Sequence, residues 1–458
     1  MVEDSVIHAG DTVLLRLPTG DIKSCKLEAK STVNLGKFGS FLADALVDQP
    51  YGLTYEVNNK TVNVIPPLAI EELEDTDATN ELINDGQFVQ PLTASEIETL
   101  KHSGVHASEI IKKQIDMHAN YSLKTEYSKD KYKKRKAAKY SKSFTTVQPT
   151  LFNVCEYWFV KDQMRILGLR VDTLSQMMNL GNARPGGRYI VVDDASGMLV
   201  CAVLERLGGN GRLITICDVD SPPAYPVMTQ MNFPKELTTD VLSSLNWATA
   251  DEAYTPIVLS ADPARGSYGS EKHKTRLSKR KTASDALFSL REELFSGEFD
   301  GLFVASVYDP LSILQKLFPY LGGSACVVVY NPHLQVVSDL QATLRLDPQY
   351  LAPSISESWL RRYQVLPGRT HPVMSTSGGG GYLLHAIKMY ALSMISLLYL
   401  LDRHHRRYND PSAEPVVVHR RPKVVRQTVV PSLEQSEDLA TRACTGADVC
   451  HIDVGIDD

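Results

Sequence analysis

Arg188 to Asp218 reads RYIVVDDASGMLVCAVLERLGGNGRLITICD, and this stretch decides the fold. Tyr189-Ile190-Val191-Val192 is an apolar run with the length and β-branched content of a buried strand. Leu199 to Leu207 reads as an apolar helix, Gly208-Gly209-Asn210-Gly211 as a turn and Leu213-Ile214-Thr215-Ile216 as a second strand. The unit is therefore βαβ, the repeat of a parallel sheet. A strand-to-helix loop that cradles a nucleotide needs glycine at several points, so that backbone amides approach the ligand without a Cβ in the way. Here the loop is Asp193-Asp194-Ala195-Ser196-Gly197-Met198. One glycine, two adjacent carboxylates and a bulky Met predict a fold kept without its cofactor pocket.

Outward from this unit, strand-like runs alternate with helical patterns from about 151 to 388. Pro256 to Ser260, Gly301 to Val307 and Ala325 to Tyr330 are the further strand candidates. This rhythm predicts a mostly parallel sheet with helices on both faces. Residues 1–90 read instead as short strands, such as Thr12 to Leu17 and Thr61 to Ile65, between Gly, Pro and Asp punctuation. A small β-barrel or sandwich is the expectation there. Between these domains, 91–150 reads as a linker or arm, and 389–458 as an atypical tail.

The composition is that of a soluble globular chain: 458 residues, 43% hydrophobic and 22% charged. The 7 cysteines form no CxxC pair, which points to a reducing compartment and away from a zinc site or a disulfide framework. Met1-Val2-Glu3-Asp4 is acidic rather than the start of a secretory signal, and the longest apolar run, Met389 to Leu401, is too short to span a bilayer. An intracellular protein without membrane contact is expected.

A net charge of -6 excludes nucleic-acid binding by the surface as a whole and leaves it to local clusters. Glu71, Glu72, Glu74, Asp75, Asp77, Glu81 and Asp85 make an acidic loop or linker. A basic segment, Lys124 to Lys142, follows. It carries Lys129, Lys131, Lys133, Lys134, Arg135, Lys136 and Lys139 among Tyr121, Tyr127, Tyr132 and Tyr140. Lysines that neutralise phosphates and tyrosines that stack on unpaired bases suit an RNA-contacting helix or arm. A solvated linker or a localisation signal has the same composition. A second cluster, Lys272 to Arg276 with Lys279-Arg280-Lys281, sits in a Gly/Ser-rich insertion and reads as a disordered loop, with RNA contact or localisation as alternatives.

No nucleophile–base arrangement, paired carboxylates or metal-ligand spacing stands out, so no residue is assigned a catalytic or metal-binding role. Asp218, ending the second strand, has the position of a ribose-binding acid, but beside a loop short of glycines it reads rather as a turn residue. Asp309-Pro310 reads as the start of a turn and helix.

Three further blocks carry a resemblance. They are Leu35-Gly36-Lys37-Phe38-Gly39 with Pro50 to Val57, Lys124 to Ser128 with Lys131-Tyr132, and Tyr363-Gln364-Val365-Leu366-Pro367-Gly368-Arg369-Thr370-His371-Pro372 with Gly380-Gly381-Tyr382. Together they resemble the non-catalytic, tRNA-binding subunits of the eukaryotic tRNA N1-methyladenosine (position 58) methyltransferase, over roughly residues 5 to 388. The resemblance implies a β-barrel ahead of a Rossmann-like methyltransferase fold with a degenerate cofactor loop. It also implies a nuclear complex of two such chains with two catalytic partners, S-adenosylmethionine held by the partner and none in this chain. The loop Asp193, Asp194, Ala195, Ser196, Gly197 is then the relic of a cofactor site, and the basic segment a tRNA contact.

Arg369 and His371, in a loop stiffened by Pro367, Gly368 and Pro372, are candidates to face tRNA or the partner, or to satisfy carbonyls at the subunit interface. Arg361 and Arg362 share that reading, while Trp158 and Trp359 are core or interface anchors. After Lys388 the chain departs from the pattern, and the tail reads as a disordered lineage-specific extension or as a gene-model artefact, with the artefact favoured. Two rivals remain: an active S-adenosylmethionine-dependent RNA methyltransferase using Asp218 and Asp309, and a general RNA-binding or translation-associated scaffold.

Overall fold

In the computed structural model the first strands are β1 (Thr12–Arg16), β2 (Ile22–Lys26), β3 (Thr32–Asn34), β4 (Ser40–Leu42), β5 (Thr54–Asn58) and β6 (Thr61–Ile65). Helices α1 (Ala94–His102) and α2 (Ala107–Asp116) follow, then β7 (Ser143–Val147). The structure describes residues 6–58, 60–65, 93–103, 105, 107–117, 121, 128–129, 132–133, 136, 141–219, 223–255, 271–366, 369–375 and 378–389. The strand expected at Pro256 to Ser260 and the tail from 390 onward lie outside them.

Strands β2, β1, β7, β5 and β6, in that order, form an antiparallel sheet, with β3 and β4 as a separate hairpin. Closure into the expected barrel is not seen: β2 and β6 are the two ends of the sheet, unpaired with each other among the described residues, and a single bridge joins Lys60, just before β6, to Phe41 of β4. The apolar face does not need closure, because other side chains cover it. Phe38 and Phe41, with Ala43 and Leu46 from the following turn, bury Val13, Leu15, Tyr55 and Phe144. Strand β1, with four apolar or β-branched residues in a row, is buried on both faces. Its Leu14 turns the other way, into the core of the following domain. The central strand β7 comes from the segment read as connecting arm, so the basic stretch ending at Lys142 runs directly into the middle of this sheet.

The second domain contains α3 (Leu151–Lys161), α4 (Val171–Leu180), β8 (Arg188–Asp193), α5 (Met198–Leu207), β9 (Arg212–Cys217) and β10 (Leu242–Asn246). After these come α6 (Glu271–Ser296), β11 (Phe299–Ala305), α7 (Pro310–Leu317), β12 (Leu321–Asn331), α8 (Leu334–Leu344) and β13 (Tyr350–Trp359). A hairpin of β14 (Tyr363–Leu366) and β15 (Arg369–Pro372) precedes β16 (Gly379–Lys388). The sheet order is β10-β9-β8-β11-β12-β16-β13; the first five strands are parallel and β16 runs against both neighbours.

This is the Rossmann-like α/β fold expected from the sequence. Tyr189 and Val191 of β8 face a core shared with α3, α4 and α5, while Ile190 and Val192 face one shared with α6, α7 and α8. An apolar run buried on both faces is what a central parallel strand requires. Strand β10, with only Leu245 buried, escapes such a pattern because it is the edge strand.

The two domains are stitched by polar contacts. The Asn232 side-chain amide donates to the Thr12 carbonyl (2.9 Å) and accepts from the Thr12 amide (2.7 Å), as an extra strand residue would. Gln230 accepts from the buried Trp158 indole (2.7 Å) and donates to Ser24 (3.0 Å), so Trp158 is a core anchor.

Candidate functional site

Strand order reverses at β8, whose neighbours β9 and β11 lie on opposite sides, so the crevice for a ligand in this architecture opens at the carboxyl ends of these strands. Asp193 stands there as the last residue of β8. Its carboxylate turns back onto the start of α5, accepting the amides of Ala195 (2.7 Å) and Val200 (2.9 Å). Burial pushes its pKa up to about 6, and the amides of Val200, Ala195, Gly197 and Leu199 pull the other way. Amides that a helix N-terminus would offer to an anionic ligand are thus already taken. Asp194 accepts from the Ser306 hydroxyl (2.5 Å) and the Val307 amide (3.0 Å), tying the loop to the end of β11. Ala195 is buried, and the Ser196 hydroxyl donates to the Arg165 carbonyl (2.9 Å).

Gly197 has φ +87° and meets the ring of Tyr225: a Cβ built there would lie 2.5 Å from Tyr225 Cβ and 2.7 Å from its Cγ and Cδ1. The one glycine of the loop therefore serves a side chain of the same protein rather than a ligand. Tyr225 is buried, and burial raises its hydroxyl pKa well above the ordinary tyrosine value. Met198, read as an obstacle to a ligand, is buried in the core beneath the helix instead. These residues do not fit S-adenosylmethionine at this loop, because one carboxylate occupies the amides and an aromatic ring covers the glycine.

The rest of the mouth is acidic. The Tyr308 hydroxyl donates to Asp218 (3.3 Å), bridging the ends of β9 and β11. Asp218 raises the pKa of Tyr308 in return. Asp309 caps α7 by accepting from the Ser312 amide (2.9 Å), as its Asp-Pro context predicts. Among the described residues no cluster of His, Cys, Asp or Glu has metal-binding geometry, and no helix is long and apolar enough to cross a membrane. Tyr225 and Tyr308 were not legible as site residues. The only signal was that a lone glycine in such a loop needs a local reason.

Of the basic segment, Ser128, Lys129, Tyr132, Lys133 and Lys136 have helical backbone, and Lys136 Nζ lies 5.0 Å from the centre of the Tyr132 ring. Lys129, Lys133 and Lys136 are half-buried. Lys131, Lys134, Arg135 and Lys139 lie outside the described residues. The second cluster corrects its expectation: Lys272 to Lys281 belongs to the 26-residue helix α6, not to a disordered loop.

Arg369 and His371 lie on β15, and His371 is exposed, its Nδ1 3.0 Å from the Pro372 carbonyl. Trp359, at the end of β13, is 66% exposed with Arg361 stacked on it, and Arg362 pairs with Glu156. Tyr363, Val365 and Met374 are also exposed, so the hairpin presents an apolar surface. Its base is held by the buried Arg170. That guanidinium grips Asp172 in a two-pronged pair (2.6 and 2.7 Å) and donates to the carbonyls of Ser358, Gly378 and Gly379. A Cβ on Gly380 would lie 2.4 Å from Thr173 Oγ1, which explains part of the glycine run at Gly378 to Gly381.

The Gcd10p family model matches residues 6–284, well over half of the chain. This chain belongs to the Gcd10p family. Among curated relatives, the tRNA (adenine(58)-N(1))-methyltransferase non-catalytic subunit of Candida glabrata is 30% identical over 437 residues, covering 81% of this chain and 91% of the relative. The subunit of the same name from Debaryomyces hansenii is 29% identical, covering 84% and 87%. That of Dictyostelium discoideum is 27% identical, covering 84% and 80%. Among solved structures, a tRNA methyltransferase of Aquifex aeolicus aligns with TM-score 0.42 and 13% identity over 84% of this chain and 100% of its own. For a Gcd10p protein, a crevice closed by Asp193 and Tyr225 is the informative feature of the second domain.

Proposed function

We propose that this chain is the non-catalytic subunit of a tRNA (adenine(58)-N(1))-methyltransferase. The observation that carries the non-catalytic role is Tyr225 seated on Gly197, with Asp193 occupying the amides of α5. The substrate follows from the relatives, which bear that name along most of their length. In this reading a catalytic partner holds S-adenosylmethionine, and two copies of each chain form the nuclear complex. This chain contributes tRNA grip through Lys129, Lys131, Lys133, Lys134, Arg135, Lys136 and Lys139. Arg369 and His371 present a second polar contact beside the apolar hairpin. An acceptor base inside a folded tRNA must be exposed before it reacts, so a surface spread over subunits has to hold the tRNA body.

The test is co-expression with the candidate catalytic chain. Methylation of tRNA at adenine 58 is expected only when both are present, and isolated protein is expected to give no heat with S-adenosylmethionine in a calorimeter. Methylation by this chain alone, or no dependence of the partner on it, would overturn the reading.

A further inference from the structure

Helix α6 does not stop where its packing stops. Leu287, Leu290, Leu294 and Phe295 pack on the core, and the buried Arg291 donates to the carbonyls of Thr249, Asp251 and Tyr254 just beyond the end of β10. Upstream, Thr275, Arg276 and Ser278 to Ala283 are all exposed. The helix connects β10 to the parallel strand β11 and so runs against both, which directs its amino-terminal half past the carboxyl edge of the sheet. That is the edge carrying the Asp193–Gly197 loop. At 1.5 Å per residue, Glu271 to Ala283 extends about 20 Å along the axis.

The projecting half is built against its own stability. Arg276 and Arg280 are like charges at i,i+4, Arg276 and Lys279 at i,i+3, and each such pair costs a few tenths of a kcal/mol. Among the described residues from Thr275 to Ala283, no buried side chain offsets these costs. A polyanion does. The described side chains there are basic or small and polar, save Ala283, without the aromatic and aliphatic anchors of a protein interface.

We infer that the projecting half of α6, through Arg276, Lys279, Arg280 and Lys281, is an RNA-binding arm that contacts the phosphodiester backbone of the substrate on the crevice side of the molecule. The inference deepens the proposed tRNA role and rests on it.

The experiment uses the full chain co-purified with its catalytic partner, titrated with a tRNA transcript at 50, 100 and 200 mM salt. The variant Arg276→Glu, Lys279→Glu, Arg280→Glu, Lys281→Glu is expected to raise Kd at least tenfold at 100 mM salt. It should also flatten the slope of log K against log salt by about 3 to 4, since each lost phosphate contact removes about 0.9. The same four positions changed to Gln, with helix content checked by circular dichroism, should flatten the slope equally without charge reversal. Kd and slope equal to those of the unsubstituted complex in both variants would overturn the arm. An unsubstituted complex that binds tRNA but does not methylate it would sink the functional reading alone, and one that does not bind tRNA would sink both.

Discussion

Gly197→Ala should be among the most damaging single-methyl additions in the second domain, and the reason is local. The new Cβ would approach Tyr225 to 2.5 Å at a φ of +87°, where a side chain is strained in any surroundings. Overpacking costs about 1–3 kcal/mol and an alanine at positive φ about 1 more, so a loss of about 2–4 kcal/mol is expected. Tyr225→Gly, which removes the Cβ as well as the ring, should alone cost at least about 3 kcal/mol as a large-to-small change at a buried site. In the double variant both the Tyr225 Cβ at 2.5 Å and the ring are gone, so Gly197→Ala adds chiefly the backbone strain of an alanine in the left-handed region. Its cost should therefore fall at least about 1 kcal/mol short of the sum of the singles. Urea unfolding followed by circular dichroism measures all three. Additivity within about 0.5 kcal/mol would refute the claim that the ring and the glycine are fitted to each other, and with it the steric closure of the crevice.

Arg170→Ala should destabilise by about 3–5 kcal/mol, because it strands the partly buried Asp172 and three carbonyls. Arg170→Lys, which keeps the charge but loses the fork, should recover only part of this in thermal melts. The sign with pH follows from Asp172: burial pushes its pKa up, but bonding to Arg170 and Ser358 outweighs it and leaves the pKa below the ordinary aspartate value. That stabilisation is present above the unfolded pKa and lost as pH falls through the folded one, so the penalty of Arg170→Ala should shrink in acid. Asp193 runs the other way. With a folded pKa of about 6 against 3.8, its contribution is complete below the unfolded value and lost as pH rises through 6. Asp193→Asn should remove that segment of the stability profile, and parallel profiles between pH 4 and 7 would refute it. Asn232→Asp sets a carboxylate oxygen against the Thr12 carbonyl in place of a donor. Limited proteolysis should then release the N-terminal sheet earlier than in the unsubstituted protein; an identical digestion course would count against the stitch.

What was legible in the chain was whatever local period alone determines. The run from Arg188 to Cys217 became strand, helix and strand because a central parallel strand must be apolar on both faces, and that pattern needs no knowledge of its neighbours. Edge strand β10 did not announce itself, since LSSLN is half polar where only one residue is buried. Closure of the N-terminal sheet was illegible for a related reason. Short alternating strands say which face is apolar, but not whether the sheet closes on itself or is covered by Phe38, Phe41 and Leu46.

The site divides along the same line. That the loop after β8 holds a single glycine could be read directly, but the obstruction assigned to Met198 is not the one the fold builds. Met198 faces the core, and the obstruction comes from Tyr225, 28 positions after Gly197 and beyond β9 in the chain. No spacing rule links these two residues, because the contact is made by the tertiary fold. The same separation of cause from sequence neighbourhood applies to α6. Its basic residues looked like part of a disordered insertion, since nothing local opposes that reading. Only the packing of Leu287 to Phe295, sixteen residues into the helix, anchors it and aims the charges beyond the sheet edge. In the proposed reading the α/β frame is kept and what it presents changes: Asp193 and Tyr225 at the loop after β8, and basic side chains on the projecting half of α6.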